Sequence, residues 1–267
     1  MKQCPVCRHS DVREATALAG HRRFVCRRCG HQHIAPPPTE QLLATYGHDY
    51  AGFRTDSRFR RRVLELWTES VAPHAPQEVR TVLDVGCGGA EFLDLAAEMG
   101  LTARGFDLSE ASAEKCRERG LAADAGDFLE YDFRTQFDVI TSWDVLEHLP
   151  APLAFVERAA ALLTPGGLVV AKVPLTTQRS LLMGSLHPKV ARALLHTPSH
   201  VQYFTLATAR LLVSTAELDP LEARCIGGIR TVRSDGSWRQ RAKRAVRRHL
   251  ARSSGLANAF VVARGKP

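Results

Sequence analysis

The hydrophobic pattern between residues 79 and 174 switches regularly between two periods. VRTVLDV (79–85) is a β-branched run that reads as a buried strand. AEFLDLAAEMG (90–100) carries its apolar residues at helical spacing, with Gly100 as C-terminal cap. TARGFD (102–107) is a second strand. SEASAEKCRERG (109–120) is a helix with Ser109 as N-cap, ending at Gly120. AADAGD (122–127) reads as a short strand and its exit, and QFDVITSWD (136–144) as a clear strand. APLAFVERAAALL (151–163) is an amphipathic helix with Pro152 near its first turn. TPGG then turns into the strand LVVAKVP (168–174). Further on, TLATARLLVSTAEL (205–218) is helical, and GLANAFVVARGKP (255–267) reads as a closing strand antiparallel to its neighbours. Such alternation predicts an α/β fold with a doubly wound, mostly parallel sheet, helices on both faces and only the last strand antiparallel. Ligands of such sheets sit beyond the strand carboxyl ends, at the switch point.

The first 38 residues follow a different logic. Cys4, Cys7, Cys26 and Cys29 are spaced C-x2-C-x18-C-x2-C, within the range of a zinc site. Each C-x-x-C aims two thiolates at one metal, and two such knuckles complete a closed tetrahedral set. The short strand-like pieces RRFV (22–25) and HQHI (31–34) flank the second knuckle, so residues 1–38 are predicted to form a small zinc ribbon. Its Zn2+ is structural, because four thiolates leave no open coordination position. A module this short buries little core, and metal binding would supply its folding energy. His9, His31 and His33 lie close enough to replace a thiolate, and redox disulfides are the other alternative. Cys87, Cys116 and Cys225 read as ordinary thiols.

Pro36-Pro37-Pro38 ends the ribbon stiffly. A helical linker is predicted over 39–78, as helices at about 39–46 and 56–71. Tyr46 and Tyr50, in the break between them, read as core or as pocket lining. Residues 79–267 then form the main domain. Within it, 175–200 is too long for a plain turn and reads either as a lid over a substrate, apolar through Leu181, Leu182, Met183 and Leu186, or as a surface helix pair. Residues 238–255 read as a basic helix inserted before the closing strand. It would be a solvated face, an RNA-contacting face or a face for anionic lipid or a phosphorylated substrate.

Charge and composition narrow the classes. The net charge is +8, and it concentrates at the ends: residues 1–35 hold seven basic against two acidic side chains, and 229–267 eleven against one. Such asymmetry suits an anionic partner or a solvated surface. No apolar run approaches the ~20 residues of a membrane span, and MKQCPVCRHS has no secretory h-region. A cytoplasmic protein with reduced thiols is expected.

The chemistry starts at VLDVGCGGAEFLD (82–94). Gly86 and Gly88 fit a dinucleotide loop, but Glu91 stands where its last glycine belongs. An acid in the first helical turn repels a pyrophosphate. Asp84 instead can face an ammonium group, while the glycines let the backbone approach closely. Asp107, 21 residues after Gly86, stands where a carboxylate accepts hydrogen bonds from both hydroxyls of a ribose. The ligand then carries a ribose and a cation but no phosphate, which describes S-adenosylmethionine.

Here the chain resembles the class I S-adenosylmethionine-dependent methyltransferases. The resemblance runs from about 79 to 267 on LDVGCGG (83–89), GFDLS (105–109), AGDFLE (125–130), FDVITSWDVLEHLP (137–150) and LLTPGGLVVAKVP (162–174). The ribbon, IAPPP and YGHDY ahead of it also look like bacterial methyltransferases with an N-terminal zinc-binding module. Sugar C-methyltransferases share that arrangement but usually carry a further C-terminal domain. The resemblance implies that Asp84, Gly86 and Gly88 surround the methionine moiety. It implies Asp107 on the ribose and Leu108 beside the adenine. It implies Asp127 and Phe128 at the adenine edge and face, and Trp143 and Asp144 as the floor near the sulfonium. Ala90 replaces a glycine common among relatives, with Gly89 expected to keep the turn permissive.

Methyl transfer to a hydroxyl needs a proton acceptor. The resemblance offers two: His148, of a Glu-His pair common in this superfamily, and His200, in a His-x-x-x-Phe stretch similar to one in quinone-type O-methyltransferases. Each can equally be a packing residue. The expected acceptor is a small or carrier-attached metabolite methylated at oxygen. The rival readings are an RNA methyltransferase and a non-catalytic binding module. Against RNA, SWDVLEHLP contains no Asn-Pro-Pro-Tyr-like or Asp-Pro-Pro-Tyr-like base-holding motif.

Overall fold

A computed structural model describes residues 3–36, 57–76, 79–227 and 257–266. The linker residues 39–56, with Tyr46 and Tyr50, and the basic stretch 238–255 lie outside them. Strands are β1 (Val12–Leu18), β2 (His21–Cys26), β3 (Gln32–Ile34), β4 (Thr81–Val85), β5 (Thr102–Asp107), β6 (Ala122–Ala125), β7 (Phe137–Trp143), β8 (Leu163–Pro174), β9 (Gln202–Tyr203), β10 (Asp219–Gly227) and β11 (Ala257–Arg264). Helices are α1 (Ser57–Leu66), α2 (Glu91–Glu98), α3 (Glu110–Glu118), α4 (Pro152–Ala161), α5 (Gln178–Leu186), α6 (Pro188–Leu194) and α7 (Leu206–Thr215). No helix among the described residues is long and apolar enough to cross a membrane.

The main sheet has the order β10-β11-β8-β7-β4-β5-β6. Strands β4 to β8 pair in parallel, while β11 runs antiparallel to both β8 and β10. This is the expected Rossmann-like sheet with its last strand reversed. Alternation along the strands sorts the core into two layers. Leu168, Val170, Phe260 and Val262 face one side with Val63, Leu66 and Phe92, from α1 and α2. Val169, Ala171, Val173, Val261 and Ala263 face the other, with Phe155 and Val156 of α4 and Leu212 and Val213 of α7.

The local signals mostly hold. Ser109 caps α3 by accepting from the Ser112 N–H, and Pro152 opens α4. Gly100 takes φ +75° just past α2. TPGG is not a free turn: it belongs to β8 and bulges, since Phe137 faces Leu163 while Val139 already faces Leu168. The N-terminal module differs more. Its first strand, β1, escaped the sequence pattern because residues 12–17 are only half-buried or exposed and carry no apolar alternation. Its sheet takes a fourth strand, β9, from beyond the predicted lid, in the order β1-β2-β3-β9. Residues 175–200 hold a helix pair, α5 and α6, docked on this module. Leu181 is buried with Leu18, Ile34 and Leu194, whereas Leu182 and Leu186 are 61% and 66% exposed. Only part of the expected apolar surface therefore faces inward.

Candidate active site

At the tip of β4, Asp84 is buried and accepts from the Thr141 hydroxyl at 2.7 Å. Burial raises it to about 7 against that hydrogen bond, with Glu91 and Asp107 adding to the rise. Gly86 takes φ +82°, and a Cβ there would lie 2.4 Å from Val145 Cγ2. Only glycine admits both the left-handed backbone and that contact. Asp107, ending β5, receives the Gly88 N–H on Oδ2 and the Ser109 N–H on Oδ1, both at 2.9 Å. Desolvation still holds its carboxyl above the ordinary range against these bonds. Burial also raises Glu91, whose Oε1 has no hydrogen-bond partner among the described residues. Three acids thus converge on one glycine loop. Their mutual repulsion and desolvation favour a ligand that brings positive charge, and beside Gly88 the loop is open where a side chain would otherwise stand. The residues fit S-adenosylmethionine.

The left-handed position before α2 is Ala90, at φ +70° and fully buried. This corrects the expectation that Gly89 would supply the freedom of the turn: the strain sits on a residue with a side chain. Leu108 is half exposed. Asp127 is exposed and accepts from the Leu129 N–H at 2.9 Å. Phe128 is 7% exposed, its ring packed on Phe155, Phe133 and Phe106 at 4.6 to 6.0 Å. It is an anchor of the aromatic core, with little of its surface left for a ligand. Trp143, ending β7, packs its indole on Phe92 and Phe260.

Past β7 the crevice changes chemistry. Asp144 takes φ +57° and forms an ion pair with Lys172, a lysine 1% exposed on β8. Its N–H also donates to the Lys172 carbonyl, at 2.9 Å. His148 Nδ1 lies 2.8 Å from the Ser199 carbonyl. A carbonyl only accepts, so Nδ1 carries the proton, and in the neutral ring Nε2 presents a lone pair. Desolvation lowers His148 and lowers His200 further, with His148 adding to the effect on His200. Both rings therefore stay neutral near pH 7. They meet edge to face at 4.6 Å, and His196 stacks on His200 at 4.9 Å.

Glu147 is 1% exposed, and neither carboxylate oxygen has a hydrogen-bond partner among the described residues. Burial, with Asp144 adding to it, pushes it well above the ordinary range. One ligand atom each of Glu147, His148 and His200 lies within 4.8 Å of the others, a spacing that could hold a cation. Sequence reasoning missed Glu147, Lys172 and Thr141. Only the Glu-His adjacency hinted at the first, and nothing local marks Lys172 inside an apolar strand.

The four N-terminal thiols also converge. Cys4 and Cys29 sulfurs are 3.7 Å apart, those of Cys7 and Cys26 3.6 Å, and all four lie within 4.8 Å of one another. Zn–S bonds of about 2.3 Å in a tetrahedron set sulfurs about 3.8 Å apart, so the set fits that ion. His31 and His33 are buried beside it, and burial lowers them to about 3 and about 4. His31 is turned away to Gln202, at 2.9 Å. Cys87 and Cys116 sulfurs are 3.8 Å apart under the glycine loop, a proximity the sequence did not suggest.

Comparison with known proteins agrees with this geometry. The profile described as a methyltransferase domain matches residues 52–223. A ubiquinone biosynthesis O-methyltransferase of Paracidovorax citrulli is 29% identical over 161 residues, covering 56% of this chain and 68% of that protein. One from Thiobacillus denitrificans is 37% identical over 111 residues, covering 39% and 47%. The chain thus spans roughly half to two thirds of the length of these relatives. Among solved structures, phosphoethanolamine N-methyltransferase 2 of Haemonchus contortus, in complex with S-adenosyl-L-methionine, superposes with TM-score 0.59. That match has 15% identity and covers 88% of this chain and 62% of the other. The N-methyltransferase NodS of Bradyrhizobium japonicum, with S-adenosyl-L-homocysteine, gives 0.54 at 17% identity over 86% and 100%. At such identity these two establish the fold alone. Sheet order, glycine loop and profile together place the chain in the methyltransferase-domain family, as an S-adenosylmethionine-dependent enzyme of class I fold.

Proposed function

We propose that the chain methylates a hydroxyl oxygen of a small, quinone-like acceptor. The names of its relatives support this reading, and the Nδ1-anchored His148 is the single observation that carries it. S-adenosylmethionine supplies, when bound, a methyl group on a sulfonium that needs no further activation. In this reading Asp84, Gly86 and Gly88 enclose the methionine end, and Asp107 accepts from the ribose. Leu108 and Asp127 flank the adenine, with the Phe128 edge behind them. Trp143 and Asp144 floor the reacting end.

The chain's remaining task is to position a hydroxyl and remove its proton. His148 Nε2 is the acceptor of that proton: Nδ1 is already committed, and the ring is neutral at neutral pH. His200, packed against it, orients the ring or shares the proton. The cysteines hold Zn2+ as a closed structural site, and residues 1–38 act as a wall rather than as a separate catalyst. Purified protein given S-adenosylmethionine and a panel of catechols should yield a mono-O-methylated product by mass spectrometry. His148→Ala should abolish that product without weakening cofactor binding. Product formation undiminished in His148→Ala would end the reading.

A further inference from the structure

Apart from bonds to His196 and Thr197 just before it, the segment 199–203 is hydrogen-bonded to two places: the cysteine module and the loop that carries His148. The Ser199 carbonyl accepts from His148 Nδ1. The Val201 N–H donates to the Glu147 carbonyl at 2.8 Å, while the Val201 carbonyl accepts from the Ile34 N–H at 3.0 Å. Gln202 pairs with His33, and Tyr203 with Gln32. The Gln202 side chain, 3% exposed, spans the same two places. Its Nε2 donates to the Leu149 carbonyl at 2.8 Å, and its Oε1 accepts from His31 Nε2 at 2.9 Å. A strand of two residues has no stability of its own, so its position is set by these partners. By contrast, the bonds of Asp84 and Asp107 run to Thr141, Gly88 and Ser109 and touch none of this segment.

We propose that Gln202 is a positioning residue: through it the metal-bearing module holds the His148–His200 end of the crevice, leaving the cofactor end independent. This rests on the readings above of the four thiols and of His148. The module then forms part of the acceptor site, and metal content governs acceptor turnover rather than cofactor affinity.

The test uses the full-length protein with metal bound, the same protein after a chelator under reducing conditions, and the variants Gln202→Ala and His31→Gln. Amide hydrogen exchange is read at Val201 and His148 and, as reference, at Gly86 and Gly88. Cofactor affinity is read by calorimetry, and kcat and KM with a catechol probe. Metal withdrawal and Gln202→Ala should each speed exchange at Val201 and His148 by about tenfold or more. Cofactor Kd should stay within about twofold, and kcat/KM for the probe should fall at least tenfold. His31→Gln keeps an amide donor within reach of Gln202 Oε1 and should retain the exchange pattern of the unaltered protein. Unchanged exchange at Val201 and His148 overturns the proposal. So does a rise that also spreads to Gly86 and Gly88 with loss of cofactor binding, since that describes a general folding staple. The exchange arm decides the coupling even if catechol is not methylated, which separates this proposal from the assignment of the acceptor.

Discussion

The two ends of the crevice are built on opposite principles. At the cofactor end, Asp84, Gly86, Gly88, Glu91 and Asp107 come from one strand–helix–strand unit, and backbone N–H groups and Thr141 hold the acids. Burial raises all three carboxyls there, so their negative charge is costly until a cation arrives. At the proposed acceptor end, His148, Lys172, His200 and Gln202 come from three separate stretches, and Gln202 ties them through His31 to a fourth, the cysteine module. The histidines there are neutral because they are desolvated. One end awaits a cation, and the other can take up a proton. In the proposed reading, adjoining sites with these two characters let one fold bind a sulfonium and deprotonate an alcohol at the same pH.

The largest effect should follow from dismantling the wall of the acceptor end. Cys26→Ser leaves three thiolates, and structural zinc binding is worth about 10 kcal/mol or more in small modules. Loss of metal by elemental analysis and a lower thermal midpoint are expected. Retained metal and an unshifted midpoint would contradict the structural role. Next in size, His148→Ala should lower kcat by about 10²–10⁴, as expected when a general base is removed, with cofactor Kd unchanged in calorimetry. At the opposite end, Asp107→Ala removes the acceptor for two N–H groups and for the ribose. It should weaken cofactor binding by about 3 kcal/mol, the upper range for a charged hydrogen-bonding group, while His148 exchange stays as it was. If the two variants exchanged these effects, the division between the ends would be wrong.

A smaller effect depends on pH. The folded-state value of Asp84, about 7, lies above its ordinary one. Its contribution to stability is therefore full in acid and is lost as pH rises through about 7. The cofactor-free protein should melt lower at pH 8 than at pH 5.5 by this contribution, while cofactor affinity rises over the same interval. Asp84→Asn should flatten both trends, and calorimetric melts with and without cofactor check the sign. The smallest change tests the loop: Ala90→Gly removes left-handed strain of about 1 kcal/mol and also a buried methyl group worth about as much. The thermal midpoint should move by no more than a few degrees, with cofactor Kd unaltered.

The sequence by itself determined the sheet, the glycine loop and the clustering of thiols. Strand alternation, left-handed glycines and C-x-x-C knuckles are local: their geometry is dictated within a few bonds of the residues concerned. Asp107 was legible for the same reason, one crossover away from Gly86. Tertiary structure decided what the pattern could not reach. It turned Phe128 into the aromatic core, placed the left-handed strain on Ala90 and buried Lys172 against Asp144. It also completed the N-terminal sheet with Gln202 and Tyr203, residues about 170 positions from their partners. Such contacts depend on which surfaces meet after the layers have packed, and no periodicity records that meeting.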